Sequence, residues 1–305
     1  MKVLLATDGS KYSDGAARFL ARFNLSEADE ITVLHVIPGV PFPHSGGSYI
    51  RDLMQLGEEL APMIIDETAC LLKGLRTKVS TAVSTGHPAD VIVAVGRQSG
   101  SDLILMGNRG MKAIGSFLLG SVTRAVAISS AQSVLVVKPP QGKQGGPLKV
   151  LFATDGSACA EETEKVLSLI PFHPDTSVTA VYVSLSAYMD IPDRYCPGMD
   201  ERMKKIVAGM RLAETEHAEK VLAQARTRLR EKFRDVAVLV KNGDPSEQIL
   251  QAAQETRADI IALGSRGMRG VSGMLGSVAR NILSHADCSV LVCKLGKEQA
   301  CGSRD

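Results

Sequence analysis

KVLLATDGS, residues Lys2–Ser10, returns as KVLFATDGS, residues Lys149–Ser157. A second pair follows in the same order, SDLILMGNRGM (Ser101–Met111) and ADIIALGSRGM (Ala258–Met268), and a third, SVLVVK (Ser133–Lys138) and SVLVCK (Ser289–Lys294). Self-similarity in this order means one unit used twice. Measured from Asp8 and Asp155, the second copy has ten more residues before Gly243 than the first has before Gly86, and one fewer within the glycine-rich loop after Gly264. PPQGKQGGP (Pro139–Pro147) between the copies has the composition of a flexible or extended linker. The expected division is 1–138, linker 139–147, 148–295 and a tail 296–305.

Within the first copy, apolar runs predict strands at Val3–Thr7, Ile31–Ile37, Lys78–Val83, Leu103–Met106 and Val134–Val137, with content suited to strands covered on both faces. Helical patterns alternate with them at Ser13–Phe23, Ile50–Arg76, Pro88–Ser99 and Ser121–Ser130. Pro88 suits a first helical turn, where its missing N–H has no partner to lose. The alternation predicts an α/β fold, each copy an open, doubly wound sheet. Ligands of such sheets bind beyond the carboxyl ends of the strands, where the strand order reverses. Asp8, Val36 and Gly107 should meet there.

The chain has 305 residues, enough for two ordinary domains. Lys plus Arg number 35 against 33 Asp plus Glu, without the basic excess of a dedicated nucleic-acid binder. No apolar run approaches the roughly 20 residues that span a bilayer, and Asp8 interrupts the N-terminal run too early for a signal peptide. These features predict a soluble, cytoplasmic protein. Six scattered cysteines, Cys70, Cys159, Cys196, Cys288, Cys293 and Cys301, form no CxxC pair or zinc-type block. The expectation is buried free thiols, except Cys196 and Cys301 in loop or tail sequence.

GNRGMKAIGSFLLGS (Gly107–Ser121) places four glycines after a strand, where they cost roughly 0.5–1 kcal/mol each in regular structure. The run ends at Gly120, Ser121, Val122 and Thr123, at a predicted helix start whose free N–H groups favour an anion. Ser121 and Thr123 add hydroxyls. The arrangement fits a phosphate cradle; it also fits a tight strand-to-helix turn with Ser121 as an ordinary cap. A P-loop is excluded because no lysine precedes Ser121. A Rossmann GxGxxG is absent after strand 1. An aspartyl nucleophile in a DxDG pattern is excluded by Ala6 and Ala153.

The pattern G-x2-G-x9-G-S, at Gly107, Gly110, Gly120 and Ser121, with Asp8 in ATDGS and a final SVLVVK strand, resembles the universal stress protein family over nearly the whole chain. The resemblance implies two tandem ATP-binding Rossmann-like domains, adenine nucleotide alpha hydrolase-like, each with strand order 3-2-1-4-5. It implies that Asp8 serves the ribose or a metal-bridged phosphate, that Val36 contacts adenine, and that Gly107, Gly110, Gly120, Ser121, Val122 and Thr123 hold the triphosphate, with Mg²⁺ or Mn²⁺ accompanying ATP. The second-copy matches are Asp155, Val183, Gly264, Gly267, Gly276 and Ser277. The second copy departs from the pattern: eight residues separate Gly267 from Gly276, and Ala279 replaces Thr123. The first site is therefore expected to be the stronger.

Arg109 and Arg266 fit either phosphate donors or solvated loop arginines. His35 is assigned to packing and His87 to an exposed helix start. The segments Pro38–Tyr49 and Leu185–Asp200 fit either lids or plain connections. The two final strands would be exposed edges if left alone; the resemblance implies that they pair with each other within the chain, and a homodimer of whole chains is compatible with this. The implied role is an ATP-binding stress-response regulator with unidentified protein partners and no membrane or nucleic-acid ligand. The competing readings are a metal-dependent ATPase or nucleotidyl-transfer enzyme, and a scaffold that binds no nucleotide.

Overall fold

The protein is described from a computed structural model covering residues 1–39, 47–110, 119–139, 146–184, 200–267 and 274–294, with the side chains of 47–50 left out. In the first half the elements run β1 (Lys2–Thr7), α1 (Lys11–Leu20), β2 (Glu30–Pro38), α2 (Gly47–Leu71), β3 (Lys78–Gly86), α3 (Pro88–Gln98), β4 (Leu103–Gly107), α4 (Ser121–Ser129) and β5 (Ser133–Val137). The second half repeats them as β6 (Lys149–Ala153), α5 (Ala158–Leu169), β7 (Ser177–Ser184), α6 (Glu201–Leu229), β8 (Asp235–Asn242), α7 (Pro245–Thr256), β9 (Ile260–Gly264), α8 (Ser277–His285) and β10 (Ser289–Cys293). Helix starts follow the sequence signals. Ser10 and Ser157 cap α1 and α5 through their hydroxyls, and Pro88 and Pro245 occupy first turns.

The strands form one ten-stranded sheet of order β3-β2-β1-β4-β5-β10-β9-β6-β7-β8. Each half keeps the expected 3-2-1-4-5 order with parallel pairing, and the halves fuse where β5 meets β10 antiparallel, Val134, Leu135 and Val136 opposite Val292, Leu291 and Val290. The two apolar edges cover each other. The central strands β4, β5 and β10 are buried at every position. Covered faces do not extend to the rims: β3 and β8 alternate toward solvent, with Val83, Val238 and Val240 exposed. Each has a sheet neighbour on one side alone.

Two apolar layers sandwich the sheet, and both cross the halves. One joins α1, α5 and α6 residues such as Phe19, Leu20, Leu167 and Leu222. The other joins α3, α4, α7 and α8 through Ile92, Val126, Ile249 and Ile282. An aromatic chain runs across the seam, with ring centroids 6.0 Å apart for Phe19–Phe23, 5.4 Å for Phe23–Phe172 and 5.7 Å for Phe172–Phe233.

Cys159 and Cys293 are buried and Cys288 is partly buried, whereas Cys70 is exposed on α2, against the expectation for it. Burial pushes the Cys288 and Cys293 thiols up to about 12, which keeps them protonated at neutral pH. Cys196, Cys301, the proposed lid segments over 40–46 and 185–199, most of the linker (140–145) and the tail (295–305) lie outside the described residues. Among the described residues, no helix is long and apolar enough to cross a membrane.

Candidate functional site

The site begins with the turn after β1. Gly9 adopts φ +74°, a conformation glycine takes without steric cost, and the turn lets Asp8 Oδ1 accept the Ser10 N–H at 3.1 Å. Ser10 in turn accepts the Ser13 N–H at the start of α1. The second copy repeats each step: Gly156 at φ +74°, Ser157 N–H to Asp155 Oδ1 at 3.0 Å, and Ala160 N–H to the Ser157 hydroxyl. The local sequence D-G-S therefore fixes a carboxylate at the carboxyl end of the central strand in both halves.

The glycine loop closes on that carboxylate from the neighbouring strand. A β-carbon at Gly110 would lie 2.5 Å from Asp8 Oδ2, and one at Gly267 would lie 2.7 Å from Asp155 Oδ2. Any side chain there would displace the acid. Gly107 has a different reason to be glycine: its β-carbon would meet the Tyr12 carbonyl carbon and oxygen at 2.7 Å, where α1 crosses the end of β4. At Gly264 the corresponding neighbour is Cys159 Cβ, also at 2.7 Å. The far flank returns at Gly120, whose N–H donates to the Asn108 carbonyl at 2.9 Å. Residues 111–118 and 268–273, between the flanks, lie outside the described residues.

Helix α4 starts at Gly120 and α8 at Gly276, and neither start has a side-chain cap. The helices α1, α5, α6 and α7 are capped by Ser or Asp. Glycine at these two starts leaves the first-turn amides of Ser121, Val122 and Thr123 without the usual side-chain acceptor. Such a start carries partial positive charge suited to an anion. Ser121 and Ser277 are exposed. Thr123 is buried, and its hydroxyl donates to the Gly107 carbonyl at 2.9 Å, so it ties β4 to α4. Ala279 makes no such tie in the second half.

Val36 lies one step past the Thr7–His35 pair of β1 and β2, beside Asp8 in the chain's register, and is 7% exposed. Its counterpart Val183 is partly buried against the same apolar layer. His35 is buried with Nδ1 2.9 Å from the Thr7 carbonyl oxygen, as its packing assignment requires. His87 is exposed at the start of α3. Arg109 lies over the Tyr12 ring, 5.7 Å from the centroid.

Sequence reasoning missed Tyr12, whose backbone fixes Gly107 and whose ring receives Arg109. It also missed the hydroxyl cluster beneath the turn, in which Thr7 Oγ1 lies 3.2 Å from Ser13 Oγ and 3.0 Å from Thr68 Oγ1. The lost tyrosine had a signal, because Cys159 replaces it in the second copy.

The residues present fit a nucleotide's phosphates in outline: a fixed carboxylate, glycines that permit close approach, and uncapped helix amides. Among the described residues, no group of three or more His, Cys, Asp or Glu could hold a metal ion. A metal arriving with the nucleotide would meet Asp8 or Asp155.

The model of the universal stress protein family matches residues 1–138 and 148–294. A universal stress protein of Mycolicibacterium smegmatis is 27% identical over 299 residues, which covers 95% of this chain and 96% of that protein. One from Mycobacterium tuberculosis is 25% identical over 304 residues, with 96% of each covered. The crystal structure of a universal stress protein from Archaeoglobus fulgidus shares the fold at a TM-score of 0.62 and 24% identity, covering 98% of this chain and 97% of that one.

Proposed function

The chain belongs to the universal stress protein family, and on that premise we propose that it is a cytoplasmic stress-response regulator that binds ATP at the Asp8 crevice. Nucleotide occupancy biases the chain's conformation or its choice of protein partner. The observation that carries this reading is the meeting of Gly110 with the Asp8 carboxylate beside an α4 start that has no side-chain cap. In this reading Gly107, Gly110 and Gly120 shape the loop, the amides of Ser121, Val122 and Thr123 face the phosphates, Asp8 takes the ribose or a Mg²⁺-bridged phosphate, and Val36 lines the adenine end. Turnover is slow because no general base or phosphate-binding lysine accompanies Asp8 in the motif.

The second site repeats the reading with Asp155, Val183, Gly264, Gly267, Gly276 and Ser277, but it lacks the Thr123 tie and one loop residue. We therefore expect one tightly held ATP per chain. The test is the identity and amount of nucleotide released from freshly purified, denatured protein, followed by ATP titration of the emptied chain. One ATP per chain supports unequal sites, and two show that the shorter loop still binds. Neither carried nor titratable ATP would defeat the proposal and leave a scaffold. Rapid metal-dependent hydrolysis abolished by Asp8→Ala would instead make the protein an enzyme.

A further inference from the structure

A cavity of about 470 Å³ opens at the seam of the two halves, between the end of α1 and the ends of α7 and α8. That volume falls within the roughly 300–1,000 Å³ of small-molecule sites. Its lining includes Arg22 from the first half, Lys138 just past β5, and Arg257, Asp259, His285 and Asp287 from the second. The internal repeat provides a control for what the fold alone requires here. The positions corresponding to Arg22, Arg257 and His285 in the other copy hold Leu169, Gly100 and Ser129. Lys138 does have a counterpart: Lys294 donates to the Ala127 carbonyl at 2.7 Å, as Lys138 donates to the Ala286 carbonyl. The lysine is explained by the seam, and so is Arg22, whose guanidinium pairs with Asp259 of the second half; Arg257 is not.

Arg257 sits at the end of α7 with φ 52°, and it is the one non-glycine residue with positive φ among the described residues. Gly100 takes φ 63° at the matching place after α3. A β-carbon in that conformation costs roughly 1–2 kcal/mol, so the second copy retains an arginine where glycine would be easier. Strain kept at a single position points toward use. Arg22 lies against the same cavity. Its Nη1 pairs with Asp259 Oδ1 at 3.2 Å, but its Nε is buried without a hydrogen-bond acceptor. An orphaned buried donor costs about 1–3 kcal/mol unless something accepts from it.

Three cations against two acids leave one net positive charge, because the Arg22–Asp259 pair cancels. Asp259 is held by Arg22 and by the Lys149 N–H at 2.9 Å, and Asp287 is contacted by Gln254. We propose that this seam cavity is a second ligand site, separate from the Asp8 crevice, that takes a small anion bearing a phosphate or carboxylate group anchored by Arg22 and Arg257. An anion there offsets the desolvation that lowers the Lys138 pKa.

The test is isothermal titration calorimetry of the full chain at constant ionic strength with inorganic pyrophosphate and with citrate. Arg257→Gly copies the other half and relieves the backbone, so it should unfold at the same temperature or higher. The expected result is saturable binding of at least one probe, weakened tenfold or more by Arg257→Gly and unchanged by Gly110→Val. Pyrophosphate alone identifies a phosphate ligand, and citrate alone a carboxylate. Binding of neither probe overturns the proposal, as does binding indifferent to Arg257→Gly. Binding lost only in Gly110→Val also overturns it, because the probe then occupies the crevice.

Discussion

At the scale of single residues, the glycines of one loop have separable jobs. Gly107 makes room for the α1 backbone at Tyr12, and Gly110 makes room for the Asp8 carboxylate. A side chain at the first strains packing, whereas one at the second displaces the acid at a partly exposed site. Gly110→Val should therefore lower ATP affinity tenfold or more while leaving the far-ultraviolet circular dichroism of the folded chain intact. Gly267→Val should have a smaller effect on total ATP bound, because its half already lacks the Thr123 tie. Titration calorimetry on both variants checks this, and equal losses would contradict unequal sites. The sequence made Asp8 and the glycines legible, since the motif repeats. It did not reveal that Thr123 turns inward to Gly107, because a threonine at a helix start reads the same whichever way its hydroxyl points.

Among elements, the last strand of each half does more than close an edge. The residue after β5 and the residue after β10 are lysines that reach across the seam to carbonyls at the end of the other half's last helix, Lys138 to Ala286 and Lys294 to Ala127. Helix ends leave four carbonyls without intrahelical partners, so each half caps the other. The apolar edges of the two final strands were legible and the resemblance implied that they pair with each other, but the lysine caps were not legible, because both partners become visible only once the halves are placed together. The rims likewise escaped the reading of strands covered on both faces, since being last in the sheet depends on topology. Burial lowers the Lys294 pKa from 10.5 to about 8. Between those values the unfolded chain holds a proton that the folded chain has released, so this residue's contribution makes stability rise with pH. Replacing it with Met removes that slope together with a pH-independent cap. Urea unfolding of wild type and Lys294→Met from pH about 7.5 to about 10.5 should show their difference shifting in favour of wild type as pH rises. A constant difference would mean that Lys294 titrates normally in the folded protein.

For the whole molecule, the consequence of the seam is one folding unit in place of two. Both apolar layers contain residues of both halves, and the antiparallel β5–β10 pair continues the sheet without a break. The seam also uses up both final edges, so among the described strands only β3 and β8 keep a free edge for a homodimer of whole chains. Phe172 tests the unity of the core because it touches Phe23 of the first half and Phe233 of the second. It is 5% exposed, and truncating a buried phenylalanine costs about 3–5 kcal/mol. Scanning calorimetry of wild type should therefore show a single cooperative transition. Phe172→Ala should lower its midpoint by several degrees, since about 1 kcal/mol moves a protein of 150–250 residues by roughly 2–4 °C and a longer one by less. Part of the loss falls on the Phe23 contact between halves, so the variant's transition should also broaden or divide, as the two halves begin to unfold separately. Two resolved transitions in wild type would show that the halves fold independently despite the continuous sheet, and a ligand in one crevice would then have no packed route to the other.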